Sequence, residues 1–307
     1  MTPTLRHTVC PVCHSDKIQS RFSALDYTVT QTTFEIWDCQ SCSASFTQDI
    51  PTEEEVGRYY QSSEYISHSN TRQGLIAKLY QAARAYTRRA KRNMIEGFRS
   101  GAKGNILDIG CGTGEFLSEM KDGGWKTLGL EPDPGARAQA LSTHQLEVLP
   151  SAHLFQLQDA RFDVITMWHV LEHVHQLHQY LDTIHQHLHA DGSLWIAVPN
   201  HTSADAAHYG AAWAAWDVPR HLYHFSPLSM KQLLQRHGFR LEQVRPMHLD
   251  AFYVSLLSEK YMHKRPRWIS AGVQGALSML RAFGDKERCS SVLYIARPIQ
   301  AAATSAN

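Results

Sequence analysis

The chain has 307 residues, of which 43% are hydrophobic, and a formal net charge of +1 at neutral pH. This length allows a full hydrophobic core and one large domain with a smaller one. The balanced charge argues against a broad nucleic-acid-binding face, which needs a basic surface. We find no apolar run near the roughly 18 residues that a transmembrane helix requires and no signal-peptide pattern at the start, so we expect a cytoplasmic protein.

Two Cys-x-x-Cys pairs near the N-terminus, Cys10/Cys13 and Cys39/Cys42, predict a metal site. In a reducing compartment such cysteines serve as metal ligands or thiols before disulfides. Four thiolates on two tight turns can close a tetrahedral zinc site. A redox dithiol or four unrelated core cysteines are the alternatives, and the duplication of the motif argues against the first. We therefore expect residues 1–50 to form a zinc-ribbon-like module whose Zn²⁺ is structural, because no coordination position is left open.

Residues 51–100 are expected to form a linker and a helical lid segment. A polar, tyrosine-rich stretch comes first, and apolar residues at helical spacing then predict an amphipathic helix from Gly74 to Phe98. We expect its basic residues to face solvent, with an acidic substrate or a phosphate as the alternative partner. These residues are Arg84, Arg88, Arg89, Lys91 and Arg92.

The run from Ile106 to Phe116 predicts a strand, a glycine-rich turn and the start of a helix. Its three glycines lack a Cβ, which allows a sharp turn and the close approach of a ligand. A second strand ends at Glu131, about 20 residues beyond the first glycine, where a ribose-binding acid is expected. The order D-x-G-x-G-x-G differs from the dinucleotide pattern G-x-G-x-x-G. Asp108, just before the glycines, would repel a pyrophosphate but suits a cationic ligand.

These residues resemble the class I, Rossmann-like methyltransferases that depend on S-adenosylmethionine. The resemblance implies an α/β fold with a seven-stranded sheet, its last strand antiparallel, and S-adenosylmethionine as the cofactor. Zinc-ribbon methyltransferases, including sugar C-methyltransferases, are similar in the tyrosine-rich segment as well, which in them lies over the cofactor pocket. The implied cofactor contacts are Asp108, Gly110, Cys111, Gly112, Gly114, Glu131, Pro132, His169, Tyr60 and Tyr65.

For three of these residues an alternative stays open. Cys111 has the size of a small buried side chain, and Tyr60 and Tyr65 could instead pack the ribbon against the main domain. In the resembling family, the segment that begins at His169 follows a buried strand, and its first residues line the cofactor cleft. We expect Glu172 and His173, further along the same segment, to cap or stabilise a helix.

The loop from Trp213 to Phe225 is the candidate acceptor site, because it follows a strand whose carboxyl end meets the cleft. Imidazole is a suitable base near neutral pH. We therefore nominate His221, His224 and, third, His169 as candidate catalytic bases. The alternative is that the two loop histidines only hydrogen-bond the loop to the ribbon or to the tyrosine-rich segment.

The methyltransferase domain is expected to cover residues 101–299 and to end in an antiparallel strand pair, residues 240–247 and 291–297. An insertion at about 250–288 separates these strands and is expected to cover the active site or mediate assembly. Peripheral membrane contact through Trp268 and its basic neighbours is the alternative role of this segment. Residues 300–307 are expected to be a disordered tail.

We predict an enzyme that transfers a methyl group from S-adenosylmethionine to a small-molecule or lipid-precursor acceptor. O-, N- and C-methylation all remain open, as do the acceptor and the oligomeric state. An RNA methyltransferase is the first alternative, and the near-neutral charge and the scarcity of basic residues in the ribbon count against it. A non-catalytic cofactor-binding scaffold is the second, and the intact glycine motif counts against that. We expect no nucleic-acid partner.

Overall fold

The computed structural model describes residues 4–60, 75–265 and 267–299. Two of the predictions therefore lie outside the described residues, namely the role of Tyr65 and the disorder of residues 300–307. The division of the chain at residues 50 and 100 stays a prediction.

The strands, in chain order, are β1 (Thr4–Leu5), β2 (Ile18–Leu25), β3 (Thr33–Cys39), β4 (Ser45–Thr47), β5 (Ile50–Pro51), β6 (Asn105–Ile109), β7 (Lys126–Leu130), β8 (Val148–Leu149), β9 (Phe162–Trp168), β10 (Leu188–Pro199), β11 (Tyr223–His224), β12 (Phe239–Pro246) and β13 (Ser291–Pro298). The helices are α1 (Leu75–Phe98), α2 (Glu115–Asp122), α3 (Pro134–His144), α4 (Leu177–His187), α5 (Ala204–Tyr209), α6 (Pro227–Arg236), α7 (His248–His263) and α8 (Trp268–Gly284).

The main sheet has seven strands in the order β12-β13-β10-β9-β6-β7-β8, with the last strands antiparallel. Strand β6 pairs in parallel with β7 and with β9, and β7 pairs in parallel with β8. Because β7 lies on one side of β6 and β9 on the other, the strand order reverses next to β6. The carboxyl ends of strands at such a point are where open α/β sheets bind ligands. The predicted fold class, including the insertion of the final strand into the sheet, is confirmed.

The chain packs as two compact units, each built from separate stretches of sequence. One unit contains Met1–Tyr65, His169–Leu181 and Ile196–Ala296, and we call it the ribbon unit. The other contains Ile66–Trp168, Asp182–Trp195 and Arg297–Asn307, and we call it the loop unit because it holds the glycine-rich turn.

In the loop unit, apolar strands are followed directly by helices. Strand β6 is buried from Ile106 to Ile109, which agrees with the near-continuous apolar run that a covered parallel strand needs. Asp133 caps α3 by accepting a hydrogen bond from the amide of Ala136, and Pro134 occupies the first helical position. These signals end the turn that follows Glu131 and start the next helix.

In the ribbon unit, a four-stranded sheet has the order β11-β4-β3-β2. Its first strand comes from the loop predicted to bind the acceptor, because Tyr223 and His224 pair with Phe46 and Ser45 of β4. The same loop adds buried tryptophans to the core around β2 and β3. This core consists of Ala24, Ile36, Ala206, Tyr209, Trp213, Ala214, Ala215, Trp216, Val218 and Val254.

The predicted insertion is a pair of helices, α7 and α8, in the ribbon unit. Small residues of α8 face α7, and at Gly275 an added Cβ would lie 2.6 Å from the ring of Phe252. Ser278, also buried, donates a hydrogen bond to Asp205 at 3.2 Å. Within the described part of the chain, no helix combines the length and the apolar character needed to cross a bilayer.

Candidate functional site

The glycine-rich turn after β6 has the conformation that the motif predicts. Gly110, Gly112 and Gly114 all have positive φ, at 72°, 55° and 80°, where an L side chain would be strained. At Gly112 an added Cβ would point into open space, whereas at Gly114 it would lie 2.6 Å from the side chain of Leu146. Gly112 therefore leaves room over the turn, and Gly114 permits close packing beneath it.

Glu131 follows β7 and lies beside this turn. Its two carboxylate oxygens accept hydrogen bonds from the backbone amides of Gly112, at 2.9 Å, and Asp133, at 3.0 Å. Burial raises the pKa of Glu131, while these amide bonds act in the opposite direction. The backbone thus holds an acceptor-only group against the turn, at the position expected for a ribose-binding acid.

Asp108 is buried inside the sheet, at the end of β6. Thr166 of β9 lies directly beside it in the strand register and donates a hydrogen bond to its Oδ1 at 2.6 Å. Burial raises the pKa of Asp108 to about 7, although the bond from Thr166 opposes this effect. The carboxyl group of Asp108 is thus already hydrogen-bonded within the sheet. Its contact with a cofactor stays a prediction.

Cys111 and Pro132 complete the predicted cofactor set in this unit. Burial raises the pKa of the Cys111 thiol, and an added Cβ at Gly129 would lie 2.7 Å from its sulfur. Arg137 donates to the carbonyls of Glu131 and Pro132 at 2.8 and 2.6 Å, which fixes the turn into α3. The sulfur of Cys111 fits here because Gly129 has no side chain. The spacing of the glycine motif did not predict this packing requirement.

The basic face of α1 faces solvent only in part, because Arg89 is exposed as expected whereas three other arginines form ion pairs. Arg84 and Arg88 contact Glu115 at 2.9 and 2.6 Å, and Arg92 contacts Glu119 at 2.8 Å, which joins α1 to α2. The Lys91 ammonium lies 3.8 Å from the ring centre of Trp168, the last residue of β9. This cation–π contact places a lysine at the carboxyl end of β9, beside an aromatic ring.

The four N-terminal cysteines converge as a metal site requires. Their sulfurs all lie within 4.8 Å of one another, with Cys10–Cys42 at 3.7 Å and Cys13–Cys39 at 3.5 Å. A tetrahedron with Zn–S bonds of about 2.3 Å has edges of about 3.8 Å. All four cysteines are free thiols, and these separations are far longer than a disulfide bond of about 2.05 Å.

The two cysteine turns have the same backbone construction. In each, the amide of the first cysteine donates to the carbonyl five residues later, from Cys10 to Ser15 and from Cys39 to Ala44. In each, the residue four positions after the first cysteine, His14 or Ser43, has positive φ and donates back to the carbonyl of that cysteine. This repetition fits two equivalent metal-binding turns.

The histidines of the predicted acceptor loop are largely enclosed. His224 is buried, and its Nε2 lies 3.1 Å from the hydroxyl of Thr47 in β4. Burial holds the pKa of His224 well below its ordinary range. His221 has its Nδ1 2.9 Å from the carbonyl of Ala215 and its Nε2 3.8 Å from Asp217. His224 thus bonds to the ribbon, as the alternative interpretation described. The Nε2 of His221 makes only the longer contact of 3.8 Å with Asp217.

His169 has an unusual backbone and two acidic neighbours. Its φ is 58°, a left-handed conformation that is uncommon for a residue other than glycine and is found at strained functional positions. Its Nε2 lies 2.9 Å from Asp250 and its Nδ1 3.5 Å from Glu172. Burial disfavours the charged ring, but these carboxylates raise the pKa of His169 to about 10. The side chain is therefore a cation at neutral pH.

Glu172 and His173 do not cap a helix, because they lie in a 3-10 turn and α4 begins only at Leu177. His173 has its Nδ1 3.0 Å from both the hydroxyl of Tyr60 and the carbonyl of Arg220, and its ring lies 4.6 Å from that of His221. Sequence reasoning missed this cluster of Glu172, His173 and His221. Glu172 and His173 were visible in the sequence as two adjacent metal-ligating residues after β9. His221 lies almost 50 residues further along the chain, so the sequence did not indicate that it joins them.

Comparison with known proteins supports the fold and the family. The family model of a methyltransferase domain matches residues 71–244, more than half of the chain. The crystal structure of magnesium protoporphyrin IX methyltransferase from Synechocystis, with bound SAH, superposes with a TM-score of 0.52 at 11% identity. That match covers 78% of this chain and 96% of the other. At this identity the likeness shows a shared fold.

Two curated relatives are also similar. An uncharacterized methyltransferase of Staphylococcus carnosus is 33% identical over 107 residues, covering 34% of this chain and 51% of that protein. A probable S-adenosylmethionine-dependent methyltransferase of Mycolicibacterium smegmatis is 24% identical over 179 residues, covering 57% and 65%. The chain thus spans between about half and two thirds of the length of these relatives. Because the family model covers more than half of it, the chain belongs to the methyltransferase domain family.

Proposed function

We propose that this protein transfers a methyl group from S-adenosylmethionine to a small-molecule or lipid-precursor acceptor. The observation that carries the proposal is the glycine-rich turn at the end of β6 with Glu131 beside it. The positive φ values leave the backbone open to a ligand at Gly112, and the carboxylate of Glu131 offers acceptors for a pair of hydroxyl groups. These residues fit S-adenosylmethionine, whose sulfonium supplies an electrophilic methyl group when the cofactor is bound.

The remaining predicted cofactor residues support the same site. Gly110 and Gly114 shape the turn, and Asp108 contributes a carboxyl group at its base. Tyr60 and His169 belong to the ribbon unit, and their contact with the cofactor stays a prediction. The protein must hold the acceptor in line with the methyl group and exclude water, which accounts for a large part of the rate of such reactions.

Among the three histidines nominated as the base, the contacts favour His221. His224 is enclosed and bonded to Thr47, and His169 is already protonated at neutral pH because of Asp250 and Glu172. A general base needs an available lone pair. The Nδ1 of His221 must donate to the carbonyl of Ala215, so its Nε2 is the nitrogen that can accept a proton.

We also infer that Cys10, Cys13, Cys39 and Cys42 bind one structural Zn²⁺. Four thiolates at tetrahedral spacing support this, and they leave no position for a substrate. The metal would therefore stabilise the ribbon and take no part in the chemistry.

Contact with a membrane surface is the second part of the proposal. The helix α8 presents large apolar side chains outward, including Ile269, which is 86% exposed, Val273, Leu277 and Leu280. The turn before it carries exposed Lys264 and Arg267, and Trp268 is exposed as well. An apolar helix face with basic and tryptophan flanks suits the interface of an anionic bilayer, and membrane contact would suit a lipid-precursor acceptor.

Replacing Glu131 with Ala tests the proposed cofactor site. The loss of the ribose acceptors should weaken S-adenosylmethionine binding at least tenfold in calorimetry, since hydrogen bonds to charged groups contribute roughly 1.5–3 kcal/mol each. The matched control is Glu147→Ala, an exposed glutamate of the same unit just before β8, which should bind like the wild type. Equal affinities for the two variants, or tighter binding of NAD than of S-adenosylmethionine, would contradict the assignment.

A further inference from the structure

Glu172, His173 and His221 form a second group of metal-ligating side chains in the ribbon unit. One ligand atom from each lies within 4.8 Å of the other two. The group has no residue in common with the four cysteines. It combines two imidazoles and one carboxylate, a donor set that proteins use for first-row transition ions.

The carboxylate of Glu172 is the main observation. Its residue is 0% exposed, and among the residues that the structure describes neither of its oxygens has a hydrogen-bond partner. The ring of His169 lies beside it, with its Nδ1 3.5 Å from a carboxylate oxygen, and the Nε2 of the same ring makes a shorter contact, 2.9 Å, with Asp250. A buried carboxylate without hydrogen bonds is costly unless a charge compensates it. His169 supplies part of that compensation and shares it with Asp250. A bound cation would add the direct bonds that the carboxylate oxygens lack.

Both imidazoles are oriented for coordination through Nε2. The Nδ1 of His221 lies 2.9 Å from the carbonyl of Ala215, and the Nδ1 of His173 lies 3.0 Å from the carbonyl of Arg220. A carbonyl only accepts, so the Nδ1 of His221 carries the proton. The Nδ1 of His173 donates to the carbonyl of Arg220 in the same way, and the hydroxyl of Tyr60, also 3.0 Å from this nitrogen, then acts as a second acceptor. In a neutral ring the lone pair is then on Nε2. Histidines that bind metals are commonly held in this way, with the second nitrogen donating to a backbone carbonyl.

The one arginine beside the cluster does not oppose a cation. The guanidinium of Arg220 forms a two-pronged ion pair with Asp217, lies 3.7 Å from Asp26 and donates to the carbonyl of Tyr59. Its charge is therefore balanced by acids outside the cluster. Arg220 therefore does not neutralise the carboxylate of Glu172, which is one of the three ligands.

We propose that Glu172, His173 and His221 bind one divalent first-row transition ion, such as Zn²⁺ or Mn²⁺. Three protein ligands leave coordination positions for water or for an oxygen of an acceptor, in contrast to the closed site of the four cysteines. Binding of the ion uses the same lone pair of His221 that would accept a proton. The two roles exclude each other, and His221 serves as a base only in the metal-free protein.

Metal counting tests this site without any acceptor or S-adenosylmethionine, so its outcome is independent of the proposed function. The full chain is loaded with excess Zn²⁺ under reducing conditions, dialysed and analysed for zinc. We expect Glu172→Gln, which keeps the shape and removes the charge, to hold one zinc fewer per chain than the wild type. His208→Gln, an exposed histidine of the same unit, should retain the wild-type number.

A titration with Mn²⁺ followed by electron paramagnetic resonance adds a probe that thiolates disfavour. Wild-type protein should bind one Mn²⁺, and His221→Gln should lower the affinity at least tenfold. Circular dichroism shows whether either variant is folded. If neither variant folds, the wild-type Mn²⁺ titration alone tests the proposal, and an absence of Mn²⁺ binding overturns it. The proposal is overturned if wild-type protein binds no Mn²⁺ and Glu172→Gln carries as much zinc as the wild type.

Discussion

Asp108 and Glu131 show how far a motif defines individual residues. Both acids were predicted from spacing around the three glycines, and both are buried. Glu131 accepts hydrogen bonds from backbone amides at the end of a strand. Asp108 is bonded to Thr166 of the neighbouring strand. No local pattern indicates that partner, because strand register depends on the assembled sheet.

The raised pKa of Asp108 makes the stability of the protein depend on pH. Its pKa is about 7 in the folded chain and near 3.8 when exposed. Between these values the folded protein holds a proton that the unfolded chain releases, so the free energy of unfolding falls as the pH rises. Asp108→Asn removes this titration. Its stability relative to the wild type should improve between pH 4 and pH 7, by at most about 4 kcal/mol at 1.36 kcal/mol per pKa unit.

Urea unfolding of both proteins at several pH values, without S-adenosylmethionine, measures this difference. Thr166 can still donate to the amide oxygen in the variant, so the comparison isolates the charge. A difference between the two proteins that stays constant from pH 4 to pH 7 would show that Asp108 does not titrate in this range.

At the scale of elements, the two cysteine turns could be predicted from the sequence, whereas the four-stranded sheet beside them could be predicted only in part. Two Cys-x-x-Cys pairs specify two equivalent turns through local backbone geometry. Strand β11, by contrast, has only two residues and comes from a stretch of chain far from its partner β4. Such a short strand leaves no alternating pattern to detect. The loop was assigned to the acceptor for its position, and its buried tryptophans were not foreseen as core.

Cys39→Ser should remove one zinc per chain and destabilise the protein. Cys39 ends β3, so the metal fixes the turn into β4, and through β4 it supports β11. We expect the melting temperature to fall by more than about 5 °C, since 1 kcal/mol corresponds to about 2–4 °C in domains of 150–250 residues. Ser41→Ala, in the same turn but without a thiol, is the matched control. Unchanged zinc content and melting temperature in Cys39→Ser would refute a structural metal.

At the scale of the whole molecule, the seven-stranded sheet was predictable from the family resemblance and from the local signals of its longer strands, whereas β8, with two residues, has no such signal. The composition of the ribbon unit was not predictable. It joins three separate stretches of sequence, and the pairing of distant segments depends on packing that a single sequence does not display. The orientation of α8 was hidden for the same reason. Its apolar residues suggest a core helix, yet small residues such as Gly275 and Ser278 face inward and the large ones face outward.

Because the large apolar side chains of α8 face outward, we predict that the protein binds lipid vesicles. Burying the outward face of α8 in a bilayer would remove exposed apolar area from water, at roughly 25 cal/mol per Å². Each basic residue near an anionic surface adds about 1 kcal/mol. We therefore expect wild-type protein to sediment with vesicles of phosphatidylcholine and phosphatidylserine, and less with phosphatidylcholine alone. Lys264→Gln/Arg267→Gln should weaken the first interaction roughly 30-fold, the equivalent of about 2 kcal/mol.

Two further variants test whether vesicle binding depends on the apolar side chains of α8 in particular or on exposed apolar residues anywhere on the surface. Ile269→Gln/Val273→Gln should reduce binding to both kinds of vesicle, because it removes the side chains that would enter the bilayer. Leu228→Gln changes a leucine of α6 that is 51% exposed, and it should sediment like the wild type. If wild-type protein ignores anionic vesicles and light scattering instead finds a dimer that Ile269→Gln/Val273→Gln dissociates, the outward face of α8 binds a second copy of the chain and the membrane proposal fails.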